Sequence, residues 1–197
     1  MISDATSISH DLEVIRRVLS GEVNAYESLM TKYLKHVTSI VYKHIPPQEV
    51  EEVAQDVFIR AYRSLKTFKQ KSEFKPWISS IAVRACCDHW RRVYRSKEIL
   101  LSSLPENYRE RMEAILSEQS GAPDDRERQQ KKARELLDWA LNQLSPEDRM
   151  VVELVYLEGL SGKEAATLLG WSVANIKIRS FRARKKLYRL LSRLDRS

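Results

Sequence analysis

Along most of this chain apolar residues recur three and four apart, a spacing that gathers them into one buried stripe only on a helix. Leu12, Ile15, Val18 and Leu19, then Tyr26, Leu29, Met30, Tyr33, Val37, Ile40 and Val41, trace two such stripes between Asp11 and Lys43, broken near Ser20-Gly21. Ile45-Pro46-Pro47 ends the second. Val50, Val53, Ala54, Val57, Phe58, Ala61, Tyr62 and Leu65 form a third, on a helix predicted from about Pro47 to Leu65. Pro76 occupies a favoured first helical position, which predicts a fourth helix from there to about Arg95. No segment alternates as a half-buried strand does, no internal repeat is visible, and Gly is scarce at 5 of 197 residues. The expected fold class is all-α.

Residues 96–130 differ in character. Ser102-Ser103-Leu104-Pro105 is followed by Ser117 to Arg128, which holds Gly121, Pro123 and two aspartates, the composition of a tether. Periodicity resumes by Ala133, with three cap signals in order: Ser145-Pro146-Glu147-Asp148, the capping box Ser161-Gly162-Lys163-Glu164, and Ser172 before a last helix reaching Leu194. Gly159 and Gly170 stand where helix C-caps belong. The chain is thus expected to form two small helical domains, an N-terminal bundle over 1–95 and a C-terminal domain over 131–197, joined by a flexible linker over 96–130.

At 43% hydrophobic the chain can bury a core, and its two cysteines are the adjacent pair Cys86 and Cys87, which excludes a disulfide framework and fits a reducing cytoplasm. Neither a leader-like N-terminus nor an apolar run long enough for a bilayer is present, so a cytoplasmic protein without membrane insertion is expected. The net charge of +7 divides as +4 over 1–95, −1 over 96–135 and +4 over 136–197. Within 177–196 there are nine basic residues against the single acid Asp195, a concentration that suits a polyanion better than a merely solvated surface.

A short helix over 162–169, a turn at Leu169-Gly170-Trp171 and a longer basic helix from Val173 compose a helix-turn-helix DNA reader. Ile176, Ala183, Leu187 and Leu190 share the inward face of the last helix, while Lys177, Ile178, Phe181, Arg182 and Lys185 can point at a groove. Such helices enter the major groove by their N-terminal turns, which places Asn175, Lys177, Phe181 and Arg182 nearest the bases. Arg184, Lys186 and Arg189 are placed to meet phosphates. The plain alternative is a basic surface helix that touches no nucleic acid.

Two N-terminal clusters invite chemistry. Glu51, Glu52, Gln55 and Asp56 crowd six positions, and Glu52 and Asp56 stand one turn apart; a metal pair, a solvated acidic face and a contact patch for a basic partner all remain open. Between Phe68 and Trp77 lies a basic stretch, KQKSEFKP, whose aromatics and lysines suit single-stranded nucleic acid. The following IAVRACCDHWRR sets cysteine, aspartate and histidine side by side. At about 100° per residue the four splay round the axis, so they cannot converge on one ion. Cys86 reads as a core-edge filler, Cys87 as lying on the outer side, and His89 as a packed core histidine. Asp88, four residues from both Arg84 and Arg92, is expected to hold those arginines.

Four segments together resemble the bacterial sigma-70 family, in its small extracytoplasmic-function (ECF) type. GEVNAYESLMTKY is similar to the family's opening G-D-x-x-A-F pattern, EEVAQDVFIRAYRSL to its Q-[ED]-x-F helix, FKPWISSIAVRACCDHWRR to its F-x-x-W-L-x-x-I-A-x-N helix, and LSPEDRMVVELVYLEGLSGKEAATLLGWSVANIKIRSFRARKKL to its C-terminal domain. The resemblance implies a sigma factor that is not an enzyme, carries no cofactor or metal, and directs core RNA polymerase to promoters, serving a stress or envelope response. It implies that Glu52, Gln55, Asp56 and Phe58 bind the clamp helices of the polymerase large subunit. It implies that Lys69, Lys71, Phe74, Lys75, Trp77, Arg84, Asp88, Arg91 and Arg92 read and melt the minus-ten element. It implies that Asn175, Lys177, Ile178, Arg179, Phe181, Arg182, Arg184 and Lys185 read the minus-thirty-five element. The C-terminal domain would also meet the polymerase flap, the linker would run toward the active-site channel, and an anti-sigma factor would hold the free protein. Arg84 stands where the family usually has Asn, Asn175 where it has Thr, and Ile178 where it has Ser, so the promoter sequence does not carry over. The rival expectation is a two-domain helix-turn-helix regulator that never touches polymerase.

Overall fold

The computed structural model describes residues 2–69, 73–101 and 125–194, all helix, turn or connecting segment, with no strand among them. In chain order the helices are α1 (Ile2–Leu19), α2 (Tyr26–His44), α3 (Val50–Ser64), α4 (Phe74–Leu101), α5 (Asp125–Asn142), α6 (Pro146–Val152), α7 (Gly162–Leu169) and α8 (Val173–Leu194). The all-α expectation holds. The proposed linker falls largely on residues 102–124, outside the described residues, while α4 and α5 reach into both of its ends.

The breaks between helices follow local chemistry. Gly21 adopts a φ of 109° between α1 and α2, a conformation that side chains with a Cβ resist. Ile45 is extended, as a residue before proline must be, and that stops α2 at His44. α3 is the predicted third helix with a single 3-10 turn at each end, Pro47–Glu49 and Leu65–Thr67. α4 begins at Phe74, two residues before the predicted start at Pro76. Proline is tolerated anywhere in the first turn, where N–H groups have no intrahelical acceptor, so the ring does not define the first residue. Ser145 and Ser161 accept the Asp148 and Glu164 backbone N–H groups, and Glu164 completes its capping box by accepting the Ser161 N–H at 2.8 Å. α6 does not end cleanly but widens into a π-helical turn, Glu153–Leu157, and the chain reverses at Gly159.

α1 to α4 pack as a bundle around Ile15, Leu29, Val37, Val41, Val53, Val57, Leu65 and Ile78, and Tyr26 donates its hydroxyl to the Phe58 carbonyl at 2.9 Å to tie α2 to α3. Tyr62, predicted to face inward, instead stands 39% exposed beside Tyr26. The C-terminal helices add Met150, Val151, Leu154, Ala165, Ala166, Leu169 and Ile176 to that same apolar core, because α6 and α7 lie against α4. The two halves, separate in the sequence reading, therefore share one interior. Leu154 is 1% exposed within it. Leu154→Ala is expected to lower stability by about 2–5 kcal/mol, read as a shift of the urea midpoint.

Candidate nucleic-acid interface

α3 turns one edge of its acidic cluster to solvent. Glu52 and Gln55 are exposed, and Asp56 is half-buried in an ion pair with Arg60 at 2.8 Å. Phe58 is buried and forms part of the floor of a groove of about 1120 Å³ between α2 and α3, which Met30, Leu34, Ile59 and Tyr62 also line. The structure brings Gln55 and Phe58 to this one groove; its walls are apolar and its rim carries Glu27 and Glu51.

The aromatic residues before and within α4 form one cluster. Phe74 packs on Tyr33, Phe68 and Trp77 with ring centroids 5.1, 5.7 and 5.3 Å away, and Trp77 remains half-exposed at its edge. Lys69 and Lys75 are exposed beside it, while Lys71 lies outside the described residues. Two turns beyond Trp77, Arg84 is exposed and its guanidinium is held by Ser80, donating to the Ser80 carbonyl at 3.0 Å and to its hydroxyl at 2.8 Å. Arg92 is exposed and Arg91 half-buried.

Two expectations for this helix are overturned. Asp88 does not hold Arg84 and Arg92; its two oxygens are taken by Arg60 of the neighbouring α3 and by Arg91, three residues on along its own helix, at 2.8 Å. Cys87 is not on an outer surface but 2% exposed. Burial pushes its thiol up to about 11, with Arg91, Glu147, Asp88 and Arg179 the charges acting on it; two of the four belong to the C-terminal half, which covers it. Cys86 is fully buried and its thiol is pushed up by that burial. His89 is a packed core residue, as predicted, edge-on to Trp90, and burial lowers its pKa from the ordinary histidine value.

In the C-terminal half, α7, the turn at Gly170 and α8 form the predicted helix-turn-helix. Gly170 has a φ of 71°, and Trp171 donates its N–H back to the Ala166 carbonyl at 2.9 Å. Ile176 and Ala183 anchor α8, and Leu187 and Leu190 are half-buried on the same side. Lys177, Ile178, Phe181, Arg182, Arg184 and Lys185 are exposed, with Asn175 half-buried at the N-terminal end. Arg179 is engaged: it pairs with Asp148 at 2.9 Å, reaches Asn175 at 3.1 Å and lies over Trp171.

Residues 29–96 match the family described as Sigma-70 region 2, and residues 134–187 the one described as Sigma-70, region 4. The chain belongs to the sigma-70 family. The two regions together take in most of α2 to α4 and run from the second half of α5 through most of α8, and the sigma-E relatives are of the ECF type. This sigma factor is 28% identical over 182 residues to the ECF RNA polymerase sigma-E factor of Escherichia coli K12, covering 90% of this chain and 92% of that protein. It is 27% identical over 187 residues to the RNA polymerase sigma-H factor of Pseudomonas aeruginosa, covering 94% and 96%. Among solved structures, CnrH in complex with the cytosolic domain of CnrY is similar at 25% identity and a TM-score of 0.50, covering 91% of this chain and 95% of that one.

One cluster of this sigma factor escaped the sequence reading: a junction between the halves built on His44, Trp90, Arg149, Glu153 and Glu158. Its one available signal was Glu153, a charge embedded in the apolar run VVELV. His44 Nδ1 lies 2.7 Å from Glu153 and Nε2 lies 2.9 Å from Glu158. Lys43 pairs with Glu158 at 3.1 Å, and Arg149 with Glu153 at 2.7 Å. The Arg149 guanidinium sits 3.6 Å above the Trp90 ring, whose Nε1–H donates to the His44 carbonyl at 2.9 Å. Burial alone would lower the His44 pKa, but the two carboxylates outweigh it and raise it to about 9 from its ordinary 6.5. Since the folded value lies above the unfolded one, the stabilisation from protonated His44 is complete below about pH 6.5 and is lost as the pH rises through about 9. The thermal midpoint is expected to fall across that window and His44→Gln to flatten the fall, as followed by circular dichroism at constant ionic strength.

Proposed function

We propose that this sigma factor docks on core RNA polymerase through the exposed edge of α3, with Glu52, Gln55 and Asp56 meeting the clamp helices and Phe58 supporting them from the groove floor. Lys69, Lys71, Phe74, Lys75 and Trp77 engage the minus-ten element from the loop and the aromatic cluster, with Arg84, Asp88, Arg91 and Arg92 of α4 beside them. α8 reads the minus-thirty-five element through Asn175, Lys177, Ile178, Arg179, Phe181, Arg182, Arg184 and Lys185, and the C-terminal half meets the flap. The N-terminal domain is assigned to 1–95, the linker to 96–130 and the C-terminal domain to 131–197. The protein acts in the cytoplasm, in a stress or envelope response, and an anti-sigma factor holds it until the inducing signal arrives; CnrH offers the precedent, bound to the cytosolic domain of CnrY.

The observation that carries this reading is α8 in its helix-turn-helix: anchored by Ile176 and Ala183, it turns a contiguous set of bases, with Ile178 and Phe181 among them, away from the core. Apolar side chains at 52% and 60% exposure on a strongly basic helix suit contact with thymine methyls between phosphate-binding charges.

Adding the purified protein to core polymerase and mapping transcript starts on genomic DNA should yield a new, small set of starts; no new starts would sink the proposal. Asp56→Arg is expected to abolish core binding, since it sets a like charge beside Arg60, with helicity retained. Lys185→Ala is expected to weaken promoter binding across sequences and to reduce the slope of log K against log salt by about one phosphate contact.

A further inference from the structure

Three elements of the C-terminal half converge on one amide. Asn175 stands in the first turn of α8, the end by which a recognition helix meets base edges. The helix end does not need its side chain, because Ser172 serves as the cap by accepting the Asn175 backbone N–H at 3.2 Å. The amide is gripped instead by Arg179, four residues on, whose Nε–H donates to Asn175 Oδ1 at 3.1 Å. A guanidinium N–H only donates, so the atom facing it is the amide oxygen and not the nitrogen. Arg179 is fixed in its turn: Nη1 donates to Asp148 of α6 at 2.9 Å, Glu147 lies 3.9 Å away, and the guanidinium lies 5.2 Å from the centroid of the Trp171 ring. Asp148 belongs to the first turn of α6 and donates its backbone N–H to Ser145 Oγ. Asn175 Nδ2, by contrast, is open to solvent and makes no hydrogen bond among the described residues.

We infer that Asn175 enters the major groove as a hydrogen-bond donor and sets a preference for guanine over adenine at one position of the minus-thirty-five element, with Arg179 the residue that positions it and Asp148 the anchor behind both. The inference rests on the assignment of α8 to that element. An unconstrained Asn reads adenine with both ends of its amide, Oδ1 accepting from N6–H while Nδ2 donates to N7. With Oδ1 turned to Arg179, Nδ2 is the end left to face a base. Guanine offers that donor two acceptors, O6 and N7, whereas adenine sets its own N6–H donor against it. Arg179 acts on the element through Asn175. A guanidinium occupied by Asp148, Asn175 and the Trp171 ring is not at the same time neutralising a phosphate, and the DNA backbone is left to exposed side chains such as Arg184 and Lys185.

The test is the base preference of the holoenzyme, assembled from the full-length protein and core polymerase, on promoters randomised over the minus-thirty-five element and sequenced after binding. Wild type is expected to favour guanine over adenine at one position, and Asn175→Ala to flatten the preference at that position alone. Arg179→Met, which frees Oδ1, should shift the guanine-to-adenine ratio there toward adenine by about tenfold. The slope of log K against log salt is expected to keep its wild-type value in Arg179→Met, since no phosphate contact is lost. If that variant loses its helicity because Asp148 is left unpaired, Asp148→Asn/Arg179→Met, which removes the stranded charge, takes its place with the same expectations. Adenine favoured by wild type at the Asn175 position overturns the inference. So does a helical variant that leaves the ratio unchanged, or one whose salt slope falls by about one phosphate contact. Specific transcript starts with a minus-thirty-five preference that Asn175→Ala leaves untouched at every position overturn this inference alone, whereas a holoenzyme with no specific starts removes the promoter assignment and the inference with it.

Discussion

Everything in the C-terminal half is positioned by a buried charge cluster that would be costly if incomplete. Glu153 is 4% exposed and His44 3%; Glu153 meets His44 Nδ1 at 2.7 Å and Arg149 at 2.7 Å, while Glu158 stands 2.9 Å from Nε2 as a charge partner. Removing one member of a buried ionic group leaves its partner uncompensated at a cost of about 3–5 kcal/mol, whereas the complete group contributes little net stability. Such a cluster chiefly selects one arrangement over others. Here it selects the rotation of α6 about α4, and through α6 the direction in which α7 and α8 leave.

α4 is the element both halves share. Its inner face completes the N-terminal bundle with Ile78, Ala82 and Ala85, its outer face receives α6 and α7, and its first turn holds the aromatic cluster. A helix packed on two sides can offer a ligand only its ends and one remaining edge. The half-exposed Trp77 and the exposed Arg84 and Arg92 lie toward that edge, and the exposed Lys75 lies at the N-terminal end.

What could be read in the sequence is what depends on neighbours within one or two turns. Apolar periodicity located the helices, Ser145 and Ser161 their starts, and Gly170 the turn of the reader, because caps and left-handed residues are local physics. Phe68, Phe74 and Trp77 of the aromatic cluster were legible for the same reason, being near one another in the chain, whereas Tyr33 reaches it from α2. Cys87 and Asp88 were misplaced because a helical wheel knows only its own helix: Cys87 does turn away from the N-terminal bundle, and a half of the chain some sixty residues on covers it. Glu52 and Gln55 sit on the surface as an amphipathic α3 requires, but the groove beside them arises from the spacing of α2 and α3, which no single stripe encodes.

The π-helical turn at Glu153–Leu157 has a geometric consequence for the clamp on His44. In an α-helix, residues five apart stand about 140° apart round the axis, too far to flank one imidazole. Widening the turn brings Glu153 and Glu158 onto the same side, so that each ring nitrogen meets its own carboxylate. The extra residue thus acts as a spacer that sets register: deleting any one residue from this segment would leave every side chain of the cluster present and the imidazole held from one side only.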